Sequence, residues 1–411
     1  MKASYLYMNT KIYRGAERTM NLNYRFRLYP SKAQEMEMLE TLESCRWLYN
    51  HFLGELKKTK KVPPKYELQA QIPRLVKKYP SLKNVHSKTR QYVLWQLYSN
   101  LKGLRGLKQK GRKVGRLRFK KYGRMKTFVY NQSGFKLLDG KLHLSKIGDI
   151  PIKLHRKIKG NIKQVCIKRE QSGRWFAIFS VEQKPEKLST TGRAVGMDLN
   201  TQNYLTDSEG GRVEHPHELL KLEERVKIQQ RKLSRKKKGS KNWIKQASRL
   251  ARVHERISDR RRDFLHKLSR YYIENYDLIA VEDLAVKEMI ESSYNAKNKA
   301  DSAWSTFIQM LFYKAEGAGR TLVKVDPKNT SQICSRCGAY VYKPVWIREH
   351  RCPTCGLVMD RDHNAAKNIL NKALQEVGSG RPELTPVEMR PLLHSMGGAS
   401  LVEEAGSPHH L

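Results

Sequence analysis

Ala194-Val195-Gly196-Met197-Asp198-Leu199-Asn200 reads as an apolar strand interrupted by one acid. A carboxylate inside a buried strand is costly unless it is paired or binds a metal. Two other stretches offer it company. Tyr276-Asp277-Leu278-Ile279-Ala280-Val281-Glu282-Asp283-Leu284 is a second strand ending in an acid. Asp360-Arg361-Asp362-His363-Asn364-Ala365-Ala366 leads into a helix carrying Ile369 and Leu370. Two such strands and a helix start can converge Asp198, Glu282 and Asp362 at one end of a sheet. The bland alternatives are a turn residue for Asp198, a sheet-end salt bridge for Glu282, and helix capping for Asp360 and Asp362. Asp362 is preferred over Asp360 as the ligand because it stands closer to the helix and its Asn364.

Hard oxygen donors suit magnesium, with manganese as the alternative. Two such ions about 4 Å apart can activate a water and stabilise the departing oxygen in phosphodiester cleavage. The short arm of aspartate suits a bridging ligand. The expectation is a metal-dependent nuclease, a phosphodiester hydrolase, with two magnesium ions on Asp198, Glu282 and Asp362. Carboxylates on separate strands meet only if the fold brings them together, so spacing alone does not establish the site.

Just ahead of the last acid stand Cys334-Ser335-Arg336-Cys337 and Cys352-Pro353-Thr354-Cys355, fourteen residues apart, each pair followed by a glycine, Gly338 and Gly356. Two Cys-x-x-Cys knuckles supply four thiolates to one tetrahedral zinc. Four thiolates leave no open position, so this zinc is structural. His350 is a rival ligand, and a pair of redox dithiols is a rival reading that lacks the βαβ context such motifs need. The loop between the knuckles carries Tyr340, Tyr342, Lys343, Trp346, Arg348 and Arg351, a mixture suited to nucleic acid.

Of the 411 residues, 81 are Lys or Arg and 39 are Asp or Glu, a formal net charge of +42 that requires a polyanion. No apolar run approaches the roughly 20 residues of a membrane span, and no signal-peptide core opens the chain. Cys45 and Cys166 read as ordinary core residues, and the cysteine pattern suggests a reducing cytoplasm rather than a disulfide framework.

Along the chain, residues 1–20 read as a leader, which leaves Met20 as an alternative start. Tyr24, Phe26 and Leu28 alternate with Arg25 and Arg27 as a strand, and Ser31 then caps a helix bearing Met36, Met38, Leu39, Leu42 and Leu48. A second helix runs from Ser87 to Leu104. Between Leu104 and Lys126 eleven basic residues occur with no acid, and Phe119 and Tyr122 are interleaved. This stretch reads as an arm tracking a nucleic-acid backbone, with Arg112, Lys113, Arg116, Arg118, Lys120 and Lys121 as contacts. Gln164–Ile167 and Trp175–Val181 form a hairpin whose Trp175, Ala177, Phe179 and Val181 face inward. Two basic helices, about 217–237 and 241–275, part at Gly239-Ser240, the second with a stripe of Ile244, Ala247, Leu250, Ile257, Phe264, Leu265 and Leu268. Residues 376–411 read as a disordered tail.

Taken in order, Gly196–Leu199, Val281–Leu284, Thr330–Gly338, the second knuckle and Asp360–Ile369 resemble the TnpB family, which is carried by insertion-sequence transposons and related to type V CRISPR effectors. Arg27-Leu28-Tyr29-Pro30 and Tyr49-Asn50 are similar to that family's opening. The resemblance implies an RNA-guided DNA endonuclease of α/β multidomain build, with an RNase H-like (RuvC) nuclease domain, residues 191–329 and 357–375. Its zinc ribbon, 330–356, is inserted in that domain as a target-nucleic-acid-binding element. A β-barrel wedge domain, 21–30 and 127–190, precedes it, with a helical recognition domain, 31–126, inserted. The family's catalytic acids fall on Asp198, Glu282 and Asp362, and its zinc ligands on Cys334, Cys337, Cys352 and Cys355. It further implies a guide RNA from the transposon end, double-stranded target DNA bearing a transposon-adjacent motif, a bacterial cytoplasmic setting and a monomer. Tyr66, Gln91 and Tyr130 lie in the region that would read that motif. Rival readings are a catalytically silent RNA-guided DNA-binding repressor, a transposase or transposition accessory protein, and a non-enzymatic zinc-ribbon RNA binder. The repressor should have lost an acid, no Tyr or Ser nucleophile motif stands out for the transposase, and the RNA binder leaves two buried strand acids unexplained.

Overall fold

The computed structural model describes residues 11–13, 19–59, 61–285, 302–344 and 346–378. The chain forms two compact units, one of Thr19–Lys184 with Lys236–Arg252, the other of Met1–Arg18, Pro185–Arg235 and Val253–Leu411. The expected leader contributes to the second of these: strand β1 (Lys11–Tyr13) pairs antiparallel at a sheet edge, Ile12 opposite Val323.

In the first unit, β2 (Met20–Leu28) buries Tyr24, Phe26 and Leu28. Ser31 then starts α1 (Lys32–Lys58) with a complete capping box: its hydroxyl accepts from the Gln34 amide, and the Gln34 side chain accepts from the Ser31 amide. Met38, Leu42 and Leu48 are buried, whereas Met36 is 63% exposed. Residues two positions apart on a helix lie about 200° around its axis, so Met36 and Met38 cannot share a stripe. After α2 (Lys65–Gln69) and α3 (Ile72–Lys78), α4 (Ser87–Gln109) runs more than a turn past the expected Leu104, which puts Arg105 and Lys108 on the helix. The rest of the arm lacks regular structure until β3 (Thr127–Asn131).

Then come β4 (Phe135–Leu138), β5 (Lys141–Leu144), β6 (Gly148–Lys153), β7 (Asn161–Arg169) and β8 (Trp175–Gln183). With β2 they form a seven-stranded antiparallel sheet, order β3-β7-β8-β2-β6-β5-β4. Its two end strands are consecutive in the chain, joined only by residues 132–134. Laid flat, seven strands span about 29 Å, but the four Cα steps from Asn131 to Phe135 reach at most about 14 Å. The sheet must therefore curl until its ends approach, which is barrel-like. Trp175, Ala177, Phe179 and Val181 face inward, and strands and helices share one core. Cys45 lies in that core and Cys166 is only half-buried.

The other unit opens with a meander, β9 (Ala194–Leu199), β10 (Leu205–Asp207) and β11 (Arg212–Val213). α5 (Glu218–Ser234) and α6 (Lys241–Asn275, whose residues up to Arg252 fall in the first unit) follow, then β12 (Leu278–Glu282), α7 (Trp304–Ala318) and β13 (Thr321–Val325). The sheet order is β1-β13-β12-β9-β10-β11, with β12 parallel to both neighbours. On α6, Ile257, Leu265 and Leu268 are buried, but Ile244 is 58% exposed, in the part of the helix that precedes the sheet-packed half. The β14 (Glu349–Arg351) and β15 (Val358–Asp360) hairpin leads directly into α8 (Arg361–Val377). Residues 376 and 377, expected in the tail, complete α8; from 379 onward the tail lies outside the described residues. No described helix is long and apolar enough to cross a membrane.

Parallel strands buried on both faces read as continuous apolar runs, and β12 does. Ile279 and Val281 face α6 and α7 with Val195, Met197 and Leu199; Leu278 and Ala280 face α8 with Val323, Val325 and Ile369. The α8 side is tight at Gly196. A Cβ built there would stand 2.2 Å from the Ala366 carbonyl oxygen and 2.7 Å from the Leu370 nitrogen, both backbone atoms. Gly196→Ala is therefore expected to destabilise the protein by about 1–3 kcal/mol, and a thermal melt within a degree of wild type would refute the packing described.

Candidate active site and zinc ribbon

Side chains alternate along a strand, so Asp198 projects to the same face as Gly196, the α8 face, and Glu282 to the same face as Leu278 and Ala280. The last register pair of β12 and β9 is Val281 with Met197, so Glu282 and Asp198 come next, side by side on neighbouring strands about 5 Å apart. Asp362 sits in the first turn of α8, whose N-cap is Asp360: the Asp360 carboxylate accepts from the amides of Asp362, at 2.9 Å, and His363, at 3.1 Å. Asp360 also pairs with Arg212 at 2.9 Å. Capping thus occupies Asp360, while Asp362 is buried.

The electrostatics mark one shared neighbourhood. Burial, followed by the Glu282 and Asp362 carboxylates, pushes the pKa of Asp198 well above the usual carboxylate range. Burial raises Glu282, opposed by the Thr330 hydroxyl, which donates to Glu282 Oε1 at 2.6 Å. Burial also raises Asp362, opposed by Arg348, whose Nη2 donates to Asp362 Oδ2. The oxygens of the three acids do not all draw within 4.8 Å of one another, as the four cysteine sulfurs do. Thr330 and Arg348 are functional candidates that sequence reasoning either missed or placed elsewhere. The Thr-Ser start of the first knuckle was a signal for the former; nothing local marked Arg348 as a partner of Asp362.

The four sulfurs of Cys334, Cys337, Cys352 and Cys355 cluster, with Cys334–Cys355 at 3.6 Å and Cys337–Cys352 at 3.5 Å. Tetrahedral zinc with bonds of about 2.3 Å sets its sulfurs about 3.8 Å apart, so the cluster fits that ion. The two knuckles repeat one backbone pattern: the amides of Gly338 and Gly356 bond the carbonyls of Cys334 and Cys352, each at 2.9 Å. Both glycines have φ above +70°, which favours glycine there. His350 is buried against Lys343, whose Nζ meets its Nδ1, and neither joins the sulfurs. Lys343 is therefore not a surface contact. Tyr340, Tyr342 and Trp346 are exposed.

Among the other expected contacts, Arg112, Lys113, Arg116, Arg118 and Lys121 are exposed. Lys120 turns inward: its backbone is clamped by Asn50 through bonds of 2.8 and 2.9 Å, and its amine lies over the Tyr49 ring at 4.3 Å. Tyr49-Asn50 thus anchors the arm to α1. Tyr66 and Gln91 line one cavity of about 630 Å³ together with Ile72, Pro73 and Arg90. Tyr130 is a correction: it is 1% exposed and donates to the Ser145 carbonyl at 2.7 Å, so it cannot touch a ligand.

Three family profiles match the chain. OrfB_IS605, described as "Probable transposase", matches residues 178–293; the "Cas12f1-like, TNB domain" matches 304–369; and a "Helix-turn-helix domain" matches 20–61. Over that last stretch the structure has a strand and a single long helix. A "Putative RNA-guided DNA endonuclease" of Streptomyces pristinaespiralis is 32% identical over 370 residues, 87% of this chain and 90% of the relative. The "Putative RNA-guided DNA endonuclease InsQ" of Escherichia coli K12 is 29% identical over 400 residues, 89% of this chain and 97% of the relative. Among solved structures, CasPhi-2 (Cas12j) bound to crRNA aligns over 88% of this chain and 99% of its own, with a TM-score of 0.46 and 11% identity. The family profiles and these two relatives place the chain among transposon-related proteins. It belongs to the TnpB family, whose relatives are named RNA-guided DNA endonucleases.

Proposed function

We propose that this protein is an RNA-guided DNA endonuclease that cleaves target DNA beside a transposon-adjacent motif, by two-metal-ion hydrolysis at Asp198, Glu282 and Asp362. The observation that carries the reading is the convergence of these acids: two from neighbouring strands and one from the helix packed on the same face. The donor set fits magnesium, since all three residues offer hard oxygens, and a cation there would offset the burial and neighbouring carboxylates that push the Asp198 pKa up. The three carboxylates would hold the metal, which when bound supplies Lewis acidity and an activated water. The chain's own share is to fix the carboxylates at one sheet end and to keep Asp360 occupied as a cap.

In this reading the β9–β13 sheet with α8 is the RNase H-like (RuvC) nuclease domain, the curled sheet of β2–β8 is the wedge, and α1–α4 with the arm are the recognition region. Base pairing to the guide supplies target specificity, and the protein reads backbone and shape. Tyr66 and Gln91, which share a cavity, are the candidates for reading the motif. The decisive experiment is to purify the protein from cells carrying its transposon end, sequence the bound RNA, and supply a matching plasmid with magnesium. Guide-dependent cuts support the reading; RNA-directed binding without cuts would favour a repressor, and no discrete RNA would overturn guidance altogether.

The arm gives a separate expectation. Replacing Arg112, Lys113, Arg116 and Arg118 by glutamine should flatten the log-affinity against log-salt slope for the guide RNA by about 3, since each single-strand phosphate contact contributes about 0.7. An unaltered slope in fluorescence anisotropy would remove the arm from the RNA interface.

A further inference from the structure

We propose that Thr330 positions Glu282, and that the face of α8 bearing Asn364, Asn368 and Lys372 fastens the Thr330 segment so that the first zinc knuckle sets where Glu282 stands relative to Asp362. This rests on the reading of those acids as metal ligands.

Thr330 is 4% exposed, and its hydroxyl lies 2.6 Å from Glu282 Oε1 and 3.0 Å from the Pro327 carbonyl. A hydroxyl has one hydrogen to give, and the Glu282 carboxylate oxygen is the nearer acceptor. Thr330 therefore fixes the carboxylate's rotamer from outside the sheet. What fixes Thr330 is α8. Asn364, Asn368 and Lys372 recur every four residues and so line one helix face. Asn364 Nδ2 donates to the Ile333 carbonyl at 2.7 Å, and its Oδ1 accepts from the Ser335 amide at 2.9 Å. Asn368 Nδ2 donates to the carbonyls of Thr330 and Ile333, at 2.8 and 2.7 Å. Lys372 Nζ donates to the carbonyls of Asp326 and Lys328, at 3.0 and 2.7 Å. Asn364 and Asn368 are buried. Five backbone groups between Asp326 and Ser335 are thus held by the helix whose first turn carries Asp362, and Cys334 lies in that same segment.

The test uses the full chain and its guide RNA, comparing wild type with Thr330→Val, Thr330→Ser and Asn368→Leu. Manganese affinity is measured by calorimetry, the magnesium requirement by cleavage titration, and zinc by elemental analysis. Thr330→Val should weaken manganese binding about 10–100-fold and raise the half-saturating magnesium to match, the usual effect of removing a partner that orients a metal ligand. Thr330→Ser keeps the hydroxyl and should stay within about threefold of wild type, with one zinc per chain throughout. Wild-type manganese affinity in Thr330→Val overturns the proposal. If Thr330→Val does not fold, Asn368→Leu decides, with wild-type affinity again fatal. Failure of the underlying reading looks different: Glu282→Gln would then bind manganese as tightly as wild type. Loss in Glu282→Gln with retention in Thr330→Val would overturn only the positioning role.

Discussion

Asp198→Asn is expected to lower guided cutting by about a thousandfold or more, about 4 kcal/mol of barrier, while guide-RNA affinity stays at the wild-type value. The same variant should melt higher than wild type in EDTA at pH 7.5. The folded protein raises the Asp198 pKa above its unfolded value through burial and the neighbouring carboxylates. A carboxyl whose folded pKa is raised binds its proton more tightly in the native state. Stability is therefore lost as pH climbs from the ordinary carboxylate range through the raised folded value. Above the ordinary carboxylate range the raised pKa is a net cost to folding, and asparagine removes it. Each kcal/mol regained should add about 2–4 °C, and the advantage over wild type should shrink as the buffer is acidified. A variant that melts no higher than wild type in EDTA would mean that burial and the neighbouring carboxylates do not burden Asp198, and a variant that still cuts would remove Asp198 from the chemistry.

The second large effect is expected from the ribbon. Binding of structural zinc by four thiolates is worth about 10–16 kcal/mol at neutral pH in small domains, far more than the little core of Cys334, Cys352 and Leu357 can supply. Cys352→Ser should lose the zinc, expose residues 330–356 to protease, and lower cutting by about a hundredfold or more. The sheet itself should survive, because its packing against α6, α7 and α8 draws on other residues. Elemental analysis, limited proteolysis and a cleavage time course read these separately. Zinc loss with full cutting in Cys352→Ser would show that the ribbon is dispensable to the acids, and stoichiometric zinc would remove Cys352 from the ligand set. Global unfolding would show that it is part of the core.

Much of this site is legible in the sequence because strand and helix geometry act locally. An acid two residues beyond Gly196 must share its face, and an acid two beyond Ala280 must do the same. The knuckles announce themselves because zinc demands fixed spacing. What stays hidden is what forms across long separations. The bonds Thr330 to Glu282 and Arg348 to Asp362 leave no periodic trace in the chain. Composition also cannot tell an aromatic or basic side chain that meets a ligand from one that packs: Tyr130, Lys120 and Lys343 all read as nucleic-acid contacts, and each turns inward. Met36 and Ile244 misled in the opposite direction, being apolar but exposed on helices whose buried stripe lies elsewhere. The boundary between wedge and recognition domain was likewise drawn where the chain changes from strand to helix, although both kinds of element contribute to one core.

The position of α8 also sets a clock on synthesis. Asp198 leaves the ribosome 164 residues before Asp362, as the numbering gives, and β1 must wait for β13 to find its partner. At about 5–20 residues per second, the first acid waits roughly 8–33 s for the last. Throughout that interval the emerging polypeptide has β9, and then β12, but no third carboxylate. On the proposed reading of the three acids, a nascent or prematurely terminated product lacks one of them, and cutting competence arrives only when translation has passed α8.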